Sequence, residues 1–157
     1  MSAHVLLFVL AALLPVAAAA DETSAAEKPV AFNLIPKTVE AAYQKIRQTY
    51  GALYSIVDVQ EDDPELTPPK LLSLSQHLST IGEQQPAGDA TVVYVIGADG
   101  TVLLPTLVHA TDASVGASLV ESAARSRYTP ARYRGEPVTA IGGQQLQVRP
   151  QTPVPAQ

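Results

Sequence analysis

Two apolar extended runs on either side of an Asp-Gly turn leave a chain few choices, and residues 91–108 have this form. Thr91-Val92-Val93-Tyr94-Val95-Ile96 is β-branched and aromatic, a composition that suits a pleated, half-buried surface. Gly97-Ala98-Asp99-Gly100 follows, and Asp-Gly between apolar runs signals a hairpin because glycine tolerates positive φ. Extended structure is predicted to resume from Thr101 to Val108. Pro105 has no N–H for a ladder, so the second strand should lie at an edge or bulge at that point.

A helix should come next. Thr111 or Asp112 can cap it, since a short side-chain oxygen satisfies a free backbone N–H. Val115, Leu119 and Ala123 then form a narrow apolar stripe at helical spacing. The helix should stop before Thr129-Pro130, because proline disfavours the α region for the residue before it. Pro137-Val138 opens a third extended stretch through Ile141, Leu146 and Val148, in which Gly142-Gly143 predicts a bulge or bend.

These pieces, in this order, carry a resemblance. Tyr94–Val102 with its Asp-Gly turn, the helix, Ala124-Arg125-Ser126-Arg127-Tyr128-Thr129-Pro130-Ala131 and Gly135-Glu136-Pro137-Val138 resemble the C-terminal domain of TonB-family proteins. The resemblance covers about residues 91–148. It implies an α+β fold, a ββαβ antiparallel sheet with one packed helix, and a periplasmic role. In the family's energy transducers this domain pairs with a short segment of an outer-membrane transporter by strand addition. In that mode main-chain hydrogen bonds supply affinity and no catalytic residue is needed.

The ends of the chain differ from those transducers. Val5 to Ala20 is apolar and closes on small residues before Asp21, which reads as a signal peptide cleaved after Ala20. The run is slightly short for a spanning helix, which needs about 20 residues. The alternative is an uncleaved inner-membrane anchor over residues 5–20, the one route by which this chain would touch a membrane. No anchor motif of the transducers and no long proline-rich spacer is seen, so coupling to the proton-motive force is not expected. The divisions read from the sequence are a signal peptide at 1–20, a flexible N-terminus at 21–36, a helix–strand segment with an acidic proline-rich linker at 37–88, the TonB-like domain at 89–149 and a disordered tail at 150–157.

Within the helix–strand segment, Val39, Ala42, Tyr43, Ile46 and Tyr50 give an amphipathic helix that Gly51 can end. Leu53–Val59 alternates like a strand. Leu71, Leu74, Leu78 and Ile81 fit a short helix, while Leu72, Leu74 and Leu78 fit a strand, and the two stay open.

Composition narrows the function. The chain carries a net charge of −5 and no cysteine, which argues against nucleic-acid binding and removes thiol chemistry and disulfides. The acidic residues crowd into the first half. His77 and His109 have no metal-ligand spacing around them, the turn accounts for Asp99, and no serine sits in a nucleophile elbow. No enzyme activity, cofactor or metal is expected. The densest charge cluster is Arg125, Arg127, Arg132 and Arg134; it either holds an anionic partner or pairs with the acidic linker at 61–65. The partner surface is therefore placed on those arginines together with Val138, Ile141, Leu146 and Val148 of the last strand. The function expected is a periplasmic adaptor that binds a protein or peptide, such as an outer-membrane protein segment, along a sheet edge. The alternative is an assembly protein that self-associates, as a homodimer, through the same edge.

Overall fold

The run from Val92 to Ile96 is apolar on both of its sides, and a strand of that kind needs cover on both faces. The computed structural model, which describes residues 27–60, 62–74 and 87–149, supplies it. In chain order the elements are β1 (Val30–Asn33), α1 (Glu40–Tyr50), β2 (Ser55–Asp58), β3 (Leu66–Thr67), β4 (Leu71–Ser73), β5 (Gly88–Ile96), β6 (Val102–Ala110), α2 (Ala113–Arg125), β7 (Arg127–Tyr128), β8 (Ala131–Tyr133), β9 (Glu136–Val138) and β10 (Ala140–Val148). The main sheet has five strands in the order β2-β1-β10-β5-β6. The fold is α+β.

β5 divides the core in two. Ala90, Val92, Tyr94 and Ile96 pack against Val115, Leu119 and Ala123 of α2. Val93 and Val95 point the other way, onto Ala42, Ile46 and Tyr50 of α1. The expectation of one packed helix is thus corrected: each sheet face carries a helix, because the strand's alternate residues are all apolar. The sheet is also mixed rather than antiparallel. β5 pairs antiparallel with both β10 and β6, but β1 is parallel to both β10 and β2. The crossover through α1 returns the chain in its original direction, as a helical connection between parallel strands does.

Residues 30–33 are not part of a flexible N-terminus. They form β1, wedged between β2 and β10, with Ala31 buried on the α1 face and Phe32 stacked on Tyr133 at 4.9 Å between ring centroids. The three short strands β7, β8 and β9 between α2 and β10 pair in two small sheets, β4-β7 and β3-β8-β9.

Local chemistry fixes the ends of elements. Asp112 caps α2, its carboxylate accepting from the N–H groups of Ser114 and Val115 at 2.8 and 3.1 Å. α2 ends at Arg125, ahead of Thr129-Pro130. Gly51 follows α1 in the right-handed region at φ −62°, so that helix does not close on a left-handed glycine. Gly100 is needed in the hairpin: at φ +81° a Cβ there would sit 1.9 Å from the Tyr128 carbonyl.

β6 is an edge strand and it bulges, as Pro105 implies. One extra residue lies between the partners of Val93 and Val95, and another between those of Thr91 and Val92. Leu104, in the first bulge, has φ 51°. The buried Tyr50 hydroxyl reaches into it, 2.7 Å from the Leu104 carbonyl and 2.9 Å from that of Val93. Burial pushes the Tyr50 phenol above its ordinary range, so the group stays a donor. α1 is thereby fastened to both β5 and β6.

Candidate functional site

β10 pairs with β5 over its full length, from Ala140 opposite Ile96 to Val148 opposite Gly88, without a register shift. Its other edge is treated differently. β1 reaches only Ala140 and Ile141, opposite Phe32 and Asn33. The N–H groups of Phe32 and Leu34 donate to the carbonyls of Thr139 and Ile141 at 2.9 and 3.0 Å. After Leu34 the chain turns away through Pro36 toward α1.

The direction of those bonds identifies the free groups. The N–H and C=O of one residue point to the same side of a strand, and the side alternates along the chain. Ile141 faces β1, so Gly143, Gln145 and Gln147 also face outward, while Gly142, Gln144 and Leu146 face β5. Among the described residues no strand pairs with Gly143, Gln145 or Gln147 on that side. Among the described residues this is a short unpaired edge on a strand that lies inside the sheet.

The expected bulge at Gly142-Gly143 is absent. A Cβ on Gly143 would lie 2.9 Å from the Val92 carbonyl and 3.3 Å from Ile35 Cδ1. Glycine serves close packing at Gly143.

Side chains sort by face. Gly142, Gln144, Leu146 and Val148 are half-buried on the face that carries α2, with Leu146 and Val148 packed against its core. Gly143, Gln145 and Gln147 are exposed on the other face.

The residues nominated from the sequence are dispersed. Ile141 is wholly buried against α1, so its side chain is closed to any partner, and Leu34 already uses its carbonyl. Val138 lies in β9, paired with Ala131 outside the main sheet. Leu146 and Val148 do border the open edge. The arginines have separate partners rather than a common patch. Arg125 pairs with Glu121 one helical turn away. Arg127 donates to the Ser126 carbonyl, and Arg132 to that of Gly135. Arg134 grips Glu65 through Nε and Nη2, both at 2.9 Å, and Tyr133 donates to the same carboxylate. The hydrogen bond from Arg134 holds the Glu65 carboxyl below its ordinary range. For Arg134, pairing with the acidic linker is what the structure shows; Glu61, His77 and residues 1–20 and 150–157 lie outside the described residues.

Sequence reasoning overlooked a polar network at the carboxyl ends of the parallel strands β1 and β2. Asp58 accepts from Asn33 Nδ2 at 2.9 Å, Tyr43 at 2.8 Å and Arg47 at 2.6 Å, with Lys37 at 3.7 Å. Burial alone would raise the Asp58 carboxyl; the hydrogen bonds from Asn33 and Tyr43 and the charges of Arg47 and Lys37 outweigh it and lower it. Beside this network a groove of about 630 Å³ is lined by Leu34, Pro36, Val59, Gln60, Asp63, Leu66 and Pro68. Crevices at the carboxyl ends of parallel strands are frequent ligand sites, but the network's polar groups are spent on one another. His109 pairs with Asp89 at 3.4 Å, and among the described residues no His, Asp and Glu cluster could hold a metal.

No family model matches the chain, and no curated protein matches it. Among solved structures, the solution NMR structure of the Pseudomonas aeruginosa TonB CTD is similar at 14% identity. The match covers 58% of this chain and 94% of that one, with a TM-score of 0.39, a weak structural resemblance from which neither fold detail nor function is carried across. No helix among the described residues is long and apolar enough to cross a membrane.

Proposed function

We propose that this chain is a periplasmic binding module that takes an extended segment of a protein partner as an added strand along Gly143–Val148. The observation that carries the reading is the row of outward-facing N–H and C=O groups on Gly143, Gln145 and Gln147, next to a β1 that stops short of them. Such a row pairs with any extended backbone of matching length. The reading requires no cofactor and no catalytic residue. The resemblance of residues 91–148 to the TonB-family C-terminal domain directs the choice of partner toward N-terminal segments of outer-membrane proteins. Titrating such peptides into the isotope-labelled chain should shift the amides of Gly143, Gln145 and Gln147 ahead of all others. A structure of a complex in which the partner makes no strand pairing would refute the reading.

A second reading uses the same edge for a second copy. Two β10 strands running antiparallel about Gln145 would set Gly143 of each opposite Gln147 of the other, which satisfies every outward group. Sedimentation across a concentration series separates the two: a stable dimer with protected Gly143, Gln145 and Gln147 amides favours self-association.

A further inference from the structure

We infer that Gln144 selects which segment the open edge accepts, favouring one with an amide or hydroxyl side chain at a fixed position; this rests on the strand-addition reading above. Gln144 Oε1 is buried and has no hydrogen-bond partner among the described residues. A carboxamide oxygen in that state has lost its water without gaining a donor, which is costly.

The register of an added strand is set by the protein itself. Phe32 and Asn33 lie opposite Ala140 and Ile141, and Leu34 donates to Ile141, so β1 and its exit fill the edge up to Gly142. An incoming strand cannot slide past that point. The first free position on the α2 face is then the one opposite Gln144, followed by those opposite Leu146 and Val148. Directly opposed residues bring their Cβ atoms about 4.5–5.5 Å apart. Oε1 is enclosed in the free chain, so the Gln144 side chain has to turn toward the edge. An Asn, Gln, Ser or Thr opposite it then meets the oxygen with a donor, and apolar side chains opposite Leu146 and Val148 extend the half-buried apolar strip. On the other face Gly143, Gln145 and Gln147 are exposed, so the segment's alternate residues stay in water. The ligand is an amphipathic extended segment with one amide or hydroxyl and two apolar residues at alternate positions.

The test uses the full chain and synthetic seven-residue peptides, capped at both ends, with threonine and lysine at the alternate solvent-facing positions. The other three positions hold glutamine, valine and valine, in both chain orders, or three valines. The glutamine peptide should bind about tenfold tighter than the all-valine peptide in one of the two orders, an effect on the scale of one recovered hydrogen bond. In Gln144→Met, whose folding is checked by its thermal midpoint, the preference should vanish while the all-valine peptide still shifts the Gln145 and Gln147 amides. Equal binding of both peptides to the natural chain overturns the role of Gln144 and leaves strand addition standing. Failure of every peptide to move the Gly143, Gln145 and Gln147 amides overturns both.

Discussion

Ala140 and Ile141 begin β10 wholly buried, with β1 on their outer side and, for Ile141, the core of α1 above it. Gly143, Gln145 and Gln147 continue the same strand on the same β5 partner, yet are exposed and carry no neighbour on their outer side among the described residues. A strand's inner pairing therefore says nothing about its outer edge. The difference comes from the length of β1, four residues before Leu34 turns away. Where cover stops, the sequence changes from Ala-Ile to glutamines alternating with half-buried residues.

The sharpest way to break this contrast is to truncate a side chain in each half. Ile141→Ala should cost about 2–5 kcal/mol, since its cavity opens in a packed core. Gln145→Ala should stay within about 0.5 kcal/mol. Urea denaturation of both variants compares them directly, and equal losses would mean that the second half is covered as well. Proline then tests which residues face which way. Gln144→Pro removes an N–H aimed at β5 and should cost about 3 kcal/mol. Gln145→Pro removes an outward N–H, so its cost should be clearly smaller, while peptide binding should be lost. If the two prolines cost the same, the assigned alternation is wrong.

Two smaller effects probe the cover over the first half. Tyr50→Phe leaves α1 in place but takes the hydroxyl from the β6 bulge, and should cost about 1–3 kcal/mol. Hydrogen exchange should then quicken in β6 around Leu104 and leave Gly143–Val148 unchanged. The last effect is pH-dependent. The folded Asp58 carboxyl lies below its ordinary value, so its contribution is complete above that ordinary value and is lost as pH falls through the lowered folded value. Acid titration of stability should show a component below the usual aspartate range that Asp58→Asn abolishes, with the open half of β10 unaffected. A component of unchanged size in that variant would assign it to other carboxylates.

The central strand and its turn were legible because their signals are local: an apolar run, Asp99-Gly100 and Pro105 each act on their own backbone. α1 was legible from its apolar spacing, but its place on the second face was not, since that depends on β5 having two apolar sides. β1 went unread because Val30–Asn33 is too short to show a period. The bulge expected at Gly142-Gly143 is absent; a bulge and a close contact with the Val92 carbonyl both call for glycine. The four arginines sit close in sequence, yet a helix end, a bridge strand and a hairpin carry them to separate partners. Leu146 and Val148, named from the sequence, lie on the strand that bears the unpaired edge. Gly143, Gln145 and Gln147 were missed because an open edge is defined by what does not pair with it.

The bulges of β6 have a bearing on stoichiometry. A sheet with two receptive margins can accept copies without limit and grow into a fibre. Here one margin is deformed twice and interrupted by Pro105, and the other, β2, is four residues long with Asp58 already engaged. Under the strand-addition reading, one guest strand would fill the notch on β10 between them and leave no outward group of Gly143, Gln145 or Gln147 unpaired, so pairing at that notch would close at one-to-one.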